Sequence, residues 1–168
     1  MRTSGILMHI TSLPGKYGVG TMGREAYKFV DFLKKAGQSY WQILPLTPTG
    51  YGDSPYQSCS TFAGNHYLID LDTLVDEGLL TQDDLADITW NVTNDQADFG
   101  LLYRHRLKVL RAAYARFSPN EDYTAFCAEN SNWLPDFTLF MALKDKFGGK
   151  PWYEWEEKLK FRDADAIW

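Results

Sequence analysis

Cysteine is nearly absent. Cys59 and Cys127 are the two in 168 residues, and they lie far apart. That excludes a disulfide framework and a paired-cysteine zinc motif, and a reduced, cytoplasmic setting is the expectation. Basic charge is also short: 17 Lys and Arg stand against 22 Asp and Glu, a net charge of −5. With no basic stripe, the sequence argues against a nucleic-acid partner. No apolar run approaches the roughly 18 residues of a membrane span. The run Gly5–Met8 is too short for a signal-peptide core, and His9 closes it. No Gly-x-Gly-x-x-Gly opens directly after the first apolar run, and no Gly-Lys-Ser/Thr is present, which argues against a nucleotide site. Internal repeats and low-complexity segments are missing too. Disorder is excluded by a 45% hydrophobic content. The length suits one domain or a piece of a larger one.

Aromatic residues are plentiful instead, at 15%, with six tryptophans and ten tyrosines. Such content fills a core, and it also supplies flat apolar faces for stacking on sugar rings. The chain is organised around Tyr51-Gly52-Asp53-Ser54-Pro55-Tyr56-Gln57, which closely follows the apolar run Trp41–Leu46. Glycine permits a tight turn, and proline fixes φ just before Tyr56. Two tyrosines, a carboxylate, a hydroxyl and an amide are thereby displayed together, as the wall of a ligand site at the C-terminal end of a strand.

In chain order, 5–10 reads as a buried first strand and 11–20 as a loop punctuated by glycine and proline. Helix 22–36, capped by Thr21, carries Ala26, Phe29, Val30, Leu33 and Ala36 on one face and ends at Gly37. A second strand covers 40–46. Strand, helix and strand with short connections make a βαβ unit, with parallel strands and a right-handed crossover. Functional groups then gather in the loops past the carboxyl ends, here 11–20 and 47–65. The second loop is long enough to suggest function. His66–Leu71 reads as a further extended segment, with Asp72 and Thr81 as caps after it. Thr81-Gln82-Asp83-Asp84 has capping-box spacing. Asp98 caps a long helix whose inner stripe is Phe99, Leu102, Tyr103, Arg106, Leu110, Ala113, Tyr114 and Phe117. Ser118 caps another helix, with Pro119 at its first position. Asn132 caps a third, which Gly148-Gly149 ends. The tail from Trp152 to Trp168 is rich in tryptophan, acids and lysines. The expected division is 1–65, the start of a parallel α/β fold, and 66–168, mainly helical. Two strands alone are not a stable sheet, so the chain reads as cut short.

Several blocks in series carry a resemblance. They are Gly5-Ile6-Leu7-Met8-His9 with Thr11-Ser12-Leu13-Pro14-Gly15, Tyr17-Gly18-Val19-Gly20, Tyr40–Leu46, Pro48–Gln57 and Phe62-Ala63-Gly64-Asn65. Asp98–Tyr103 and Phe140–Lys144 continue the series. Together they resemble the N-terminal part of the 4-α-glucanotransferases, the amylomaltases or disproportionating enzymes of glycoside hydrolase family 77. The resemblance implies an α/β fold: the first two strands of a (β/α)8 TIM barrel, incomplete in this chain, followed by a mainly helical inserted subdomain. It implies movement of an α-1,4-glucan segment to the 4-hydroxyl of another sugar. The mechanism is retaining, with a carboxylate nucleophile, a second carboxylic acid as acid and base, and a third carboxylate that assists. Partners are α-1,4-glucans and maltooligosaccharides with glucose as an acceptor; no metal or organic cofactor is implied. The three carboxylates belong to later barrel strands and are expected downstream of Trp168, so no residue of this sequence is assigned a catalytic role. The 168 residues alone are accordingly expected to be inactive and, with open strand edges, poorly soluble.

By the same resemblance, Tyr56 is the tyrosine that stacks beside the sugar at the cleavage site, and Ser54 lines the donor side. Tyr51 and Tyr103 match a pair of aromatics at a secondary glucan site, although Tyr103 also suits the core side of its helix. Asp53 reads as a turn-holding carboxylate bonded to nearby backbone amides, with a sugar contact open, and not as a nucleophile. His9 suits an active-site position and equally a core histidine bonded to backbone. His66 and His105 read as structural or surface residues. The family pattern differs at Ile10, Thr47 and Cys59. Two alternatives stand beside the transferase: a non-catalytic carbohydrate-binding fragment, and an interaction or structural α/β domain with an aromatic core.

Overall fold

The computed structural model describes residues 2–90, 93 and 95–167. Trp168, the position past which the catalytic carboxylates are expected, lies outside the described residues. The chain divides into two units, 1–118 and 119–168. In the first, strands β1 (Gly5–Leu7) and β2 (Tyr40–Gln42) pair in parallel, with Gly5 opposite Tyr40 and Leu7 opposite Gln42. Helix α1 (Arg24–Lys35) connects them. Both strands are shorter than the apolar runs that contain them. After β1 the chain tightens into a 3-10 turn at Ile10–Ser12, where the Ser12 and Leu13 N–H groups bond the His9 and Ile10 carbonyls rather than a neighbouring strand. Past β2, Pro45 has no N–H to offer a ladder. Leu7 is 59% exposed, so β1 itself is open, and the run is buried only at its end, at Ile10.

Helix α1 ends as its sequence suggests, with Gly37 at positive φ just past the last turn. Its start differs: Gly23 is the N-cap, and the Thr21 hydroxyl donates to Asp70 instead. Ala26 and Phe29 pack with Trp41 against buried Ile10, Leu13 and Leu68, while Leu33 is buried too. Phe29 meets Trp41 edge to face at 4.8 Å, and the Trp41 indole N–H donates to the Met8 carbonyl. Val30, at 49% exposure, lies outside this face.

Residues 66–71 do not form a strand, and only Ile69 and Asp70 keep extended backbone angles. A 3-10 turn (His66–Leu68) is capped by the Asn65 side chain, and helix α2 (Leu71–Asp76) is capped by Asp70. Asx side chains that bond the backbone ahead of them win over the weak strand pattern here. Asp72 is not a cap; its carboxylate accepts from Lys16 and Tyr17 and ties the 11–20 loop to α2. Helix α3 (Asp83–Ala86) follows, and the Thr81–Asp84 box forms with aspartate in place of glutamate. Asp98 caps α4 (Phe99–Leu101), which runs through a π-helical segment, Leu102–Arg106, into α5 (Leu107–Arg116). The buried stripe is Leu102, Arg106, Val109 and Ala113; Tyr103 and Tyr114 face outward. A cluster of Leu71, Leu80, Leu85, Val109 and Ala113 forms the main core beneath them.

The Arg116 guanidinium donates to both Asp84 carboxylate oxygens, at 2.9 and 3.1 Å, and to the Leu79 carbonyl. These bonds, with those from Thr81, hold the Asp84 carboxyl down at about 2. A depressed carboxylate stabilises the fold fully above its unfolded value near pH 4 and loses that contribution as pH falls through about 2. Asp84→Asn should therefore flatten the acid limb of a thermal-melting pH profile between about pH 4 and 2. An unchanged limb would show that the fork contributes nothing in that window.

In the second unit, α6 (Glu121–Glu129) is capped by Asn120, two residues later than the Ser118-Pro119 reading. The Asn120 side chain accepts from the Tyr123 N–H, which fixes the start there. Helix α7 (Leu134–Lys146) begins after Trp133, not Asn132, with Pro135 in its first turn. Leu143, Trp155 and Leu159 are buried together with Leu139, Phe140 and Phe147 around them. Short helices α8 (Glu157–Lys160) and α9 (Ala164–Ile167) complete the described part of this unit.

Candidate functional site

The 47–65 segment is closed at its base, where the Asn65 N–H donates to the Leu46 carbonyl at 2.8 Å. Within it, the Gly50 N–H donates to the Gln57 carbonyl at 3.0 Å, forming a narrow neck. Two successive turns fill the tip. In the first, the Asp53 N–H bonds the Gly50 carbonyl, and Gly52 holds φ +92, the positive value a type II turn needs at that position. In the second, the Gln57 N–H bonds the Ser54 carbonyl, and Pro55 sits where its fixed φ suits a turn. The Ser54 hydroxyl accepts weakly from the Tyr56 N–H at 3.4 Å. The backbone thus spends its polar groups internally, and the rings project: Tyr51 is 97% and Tyr56 75% exposed.

Asp53 does not bond nearby amides with its carboxylate. The Tyr103 hydroxyl donates to it at 2.7 Å and also lies 3.3 Å from the Gly50 carbonyl. Sequence spacing alone could not announce this pair, because 50 positions separate its members. Burial first, then the Asp53 hydrogen bond and charge, push the Tyr103 hydroxyl above the usual phenol range, so it remains a donor. The Tyr103 ring is half exposed and stands edge-on to Tyr67, 6.0 Å between centroids. Tyr51, Asp53 and Tyr103 are thus brought together, and Ser54 and Tyr56 occupy the adjoining turn.

His9 stands apart. Its backbone is extended at the end of the first apolar run, and its Nδ1 is buried without a hydrogen-bond partner. Burial lowers its pKa, which favours the neutral ring. A backbone bond, one of the two readings for His9, is not made at that nitrogen. His66 is held lower, to about 4, by burial and then by the charge of Arg106.

Arg106 is the residue whose role the sequence left unassigned. It is fully buried, and its Nη2 donates to the carbonyls of Tyr67 and Ile69. An arginine on an otherwise apolar stripe was the available signal, since such a group is buried only when it is bonded. A separate cleft of about 390 Å³ lies beside the 11–20 loop. Among its charged lining residues, Lys16 pairs with Asp72 and Lys28 with Glu25. Among the described residues no group of three His, Cys, Asp or Glu is placed to hold a metal ion. No helix among them is long and apolar enough to cross a membrane.

Comparisons with known proteins agree with this arrangement of blocks. The family model described as 4-alpha-glucanotransferase, glycoside hydrolase family 77, matches residues 8–168. A 4-alpha-glucanotransferase of Clostridium butyricum is 51% identical over 162 residues, covering 95% of this chain and 33% of the relative. One from Thermus thermophilus is 48% identical over 172 residues, covering 99% of this chain and 33% of its own length. Among solved structures, an amylomaltase from Streptococcus agalactiae in complex with acarbose superposes with a TM-score of 0.88 at 46% identity. That match covers 99% of this chain and 34% of the amylomaltase. The chain therefore spans about a third of the length of these relatives, and it belongs to the 4-alpha-glucanotransferase family.

Proposed function

We propose that this chain supplies the donor-side wall of a 4-alpha-glucanotransferase that moves α-1,4-glucan segments between maltooligosaccharides, or to glucose, by retaining double displacement. In this reading the two parallel strands begin a (β/α)8 barrel, 1–65 is its start, and 66–168 is an inserted helical subdomain. The observation that carries it is the tip of the 47–65 segment, where Tyr51 and Tyr56 stand exposed on a backbone whose turns are internally bonded. Tyr56 offers a flat face to the sugar at the cleavage position, and its hydroxyl offers one hydrogen bond. Ser54 lines the same side, and the Tyr51–Tyr103 aromatics form a second place for glucan to rest. His9 contributes from just past the first strand as a neutral group. The acarbose held by the related amylomaltase, an oligosaccharide ligand, supports this class of partner.

Retaining chemistry needs two carboxyl groups about 5 Å apart. Asp53 is committed to Tyr103, which supports a holding role and not a nucleophilic one. The catalytic pair is accordingly proposed to come from sequence downstream of Trp168. The 168 residues are therefore expected to bind glucan without catalysing transfer. Purified chain incubated with maltotriose should release no glucose, while titration with maltoheptaose should show saturable binding. Tyr56→Ala should weaken that binding by about 3- to 10-fold, the scale of one aromatic stacking contact. Glucose release would overturn the inactivity, and binding indifferent to Tyr56→Ala would remove Tyr56 from the site.

A further inference from the structure

The tip between Gly50 and Gln57 is held by its own turns, but turns alone do not fix how a tip leans. Loop tips without outside ties move on nanosecond to microsecond timescales. Here the tie comes from Tyr103, which reaches across to Asp53 and Gly50. Tyr103 is a firm post. Its ring rests edge-on against Tyr67, which is 6% exposed, and Arg106 clamps the Tyr67 carbonyl from within the same π-helical segment. Asp53 is also unusual: its φ is +58, a left-handed value uncommon outside glycine and held against a modest cost. That backbone carries the carboxylate toward the Tyr103 hydroxyl.

We infer that Asp53 and Tyr103 form a latch, a pair of positioning residues that fixes the 50–57 tip and so sets the angle at which Tyr51 and Tyr56 meet an α-1,4-glucan. The inference rests on the proposed sugar-wall reading for its ligand, and on the hydrogen bonds alone for the latch itself. The latch acts through preorganisation: the ordering cost of the tip is met before sugar arrives, so less binding free energy is lost to it. Tyr103 keeps an exposed ring face for glucan while its hydroxyl is committed to Asp53.

The test compares Asp53→Ala, Tyr103→Phe and the double variant in the full chain, with two readouts. The first is amide hydrogen exchange at Gly50, Asp53 and Gln57, whose N–H groups close the neck and turns. The second is titration with maltoheptaose. Each single variant should speed exchange at those amides, and weaken binding, by about 3- to 10-fold, the scale of one typical net hydrogen bond. The double variant should be no worse than either single one. Asp53→Asn, which keeps an acceptor oxygen, should recover part of the loss. Unchanged exchange in Tyr103→Phe overturns the latch. So does a double variant whose losses multiply, since each side chain would then act on its own. Faster exchange in a chain that binds no maltoheptaose upholds the latch and removes the sugar-wall reading, so the two failures are distinct.

Discussion

Replacing Arg106 with methionine should lower the urea midpoint of the chain by the equivalent of about 2–4 kcal/mol, with the m-value unchanged. Arg106 has no exposed surface, and its Nη2 serves the carbonyls of Tyr67 and Ile69. Methionine fills most of the stem volume but donates nothing. The buried Tyr67 carbonyl and the part-buried Ile69 carbonyl would then be left unpaired, the first costing about 1–3 kcal/mol and the second less. An opposing effect trims the sum. Burial holds the guanidinium pKa down to about 10, and its Nε and Nη1 have no partners, so the native state already bears a desolvation cost. Removing the charge returns part of it. The carbonyls belong to the segment that supports Tyr103, so the loss should spread. In Arg106→Met, exchange at the Gly50 and Gln57 amides should also quicken. Arg106→Lys should cost less, because an ammonium can still donate to both oxygens. A methionine variant as stable as the wild type would show that the clamp only balances its own burial.

Much of the site was legible because it is local. Gly52 and Pro55 announced the turns that they occupy, and those turns expose Tyr51 and Tyr56. The Thr81–Asp84 box and the Asp98 cap also lie where their spacing put them. What failed was competition between neighbouring signals. The apolar run 5–10 reads as one strand, yet a run that short cannot distinguish a strand from three paired residues and a turn. At 66–71 the sequence suggested a further extended segment, but Asn65 and Asp70 offered their side chains to the backbone and won. The sequence left Tyr103 open between core and surface, because helical periodicity marks a wide stripe and does not rank its edges. The Asp53–Tyr103 bond and the Arg106 clamp join distant segments, and nothing in local spacing encodes them.

Gly20→Ala should destabilise the chain by about 2–4 kcal/mol, somewhat above the usual cost of one added methyl in a packed site. The reason is what the methyl would meet. A Cβ at this position would lie 2.3 Å from the Ile10 carbonyl oxygen and 2.5 Å from that of Leu13. Both are backbone atoms, and neither can rotate away as a side chain tip would. The residues that carry them are 3% and 4% exposed and sit in the core beneath α1. The Gly20 N–H also donates to the Thr11 carbonyl, so the two strands of this loop are drawn together at the point where a methyl would force them apart. This close approach gives the glycine-rich 11–20 loop a packing purpose in place of phosphate binding. Gly64→Ala is the matching control. It has open space around the Cβ position and no positive φ, so it should be neutral or gain about 0.4–1 kcal/mol from a stiffer unfolded chain. Urea midpoints of the two variants should therefore move in opposite directions or by very different amounts. Equal midpoints would mean that the 11–20 loop yields easily, and that its glycines are not there for close packing.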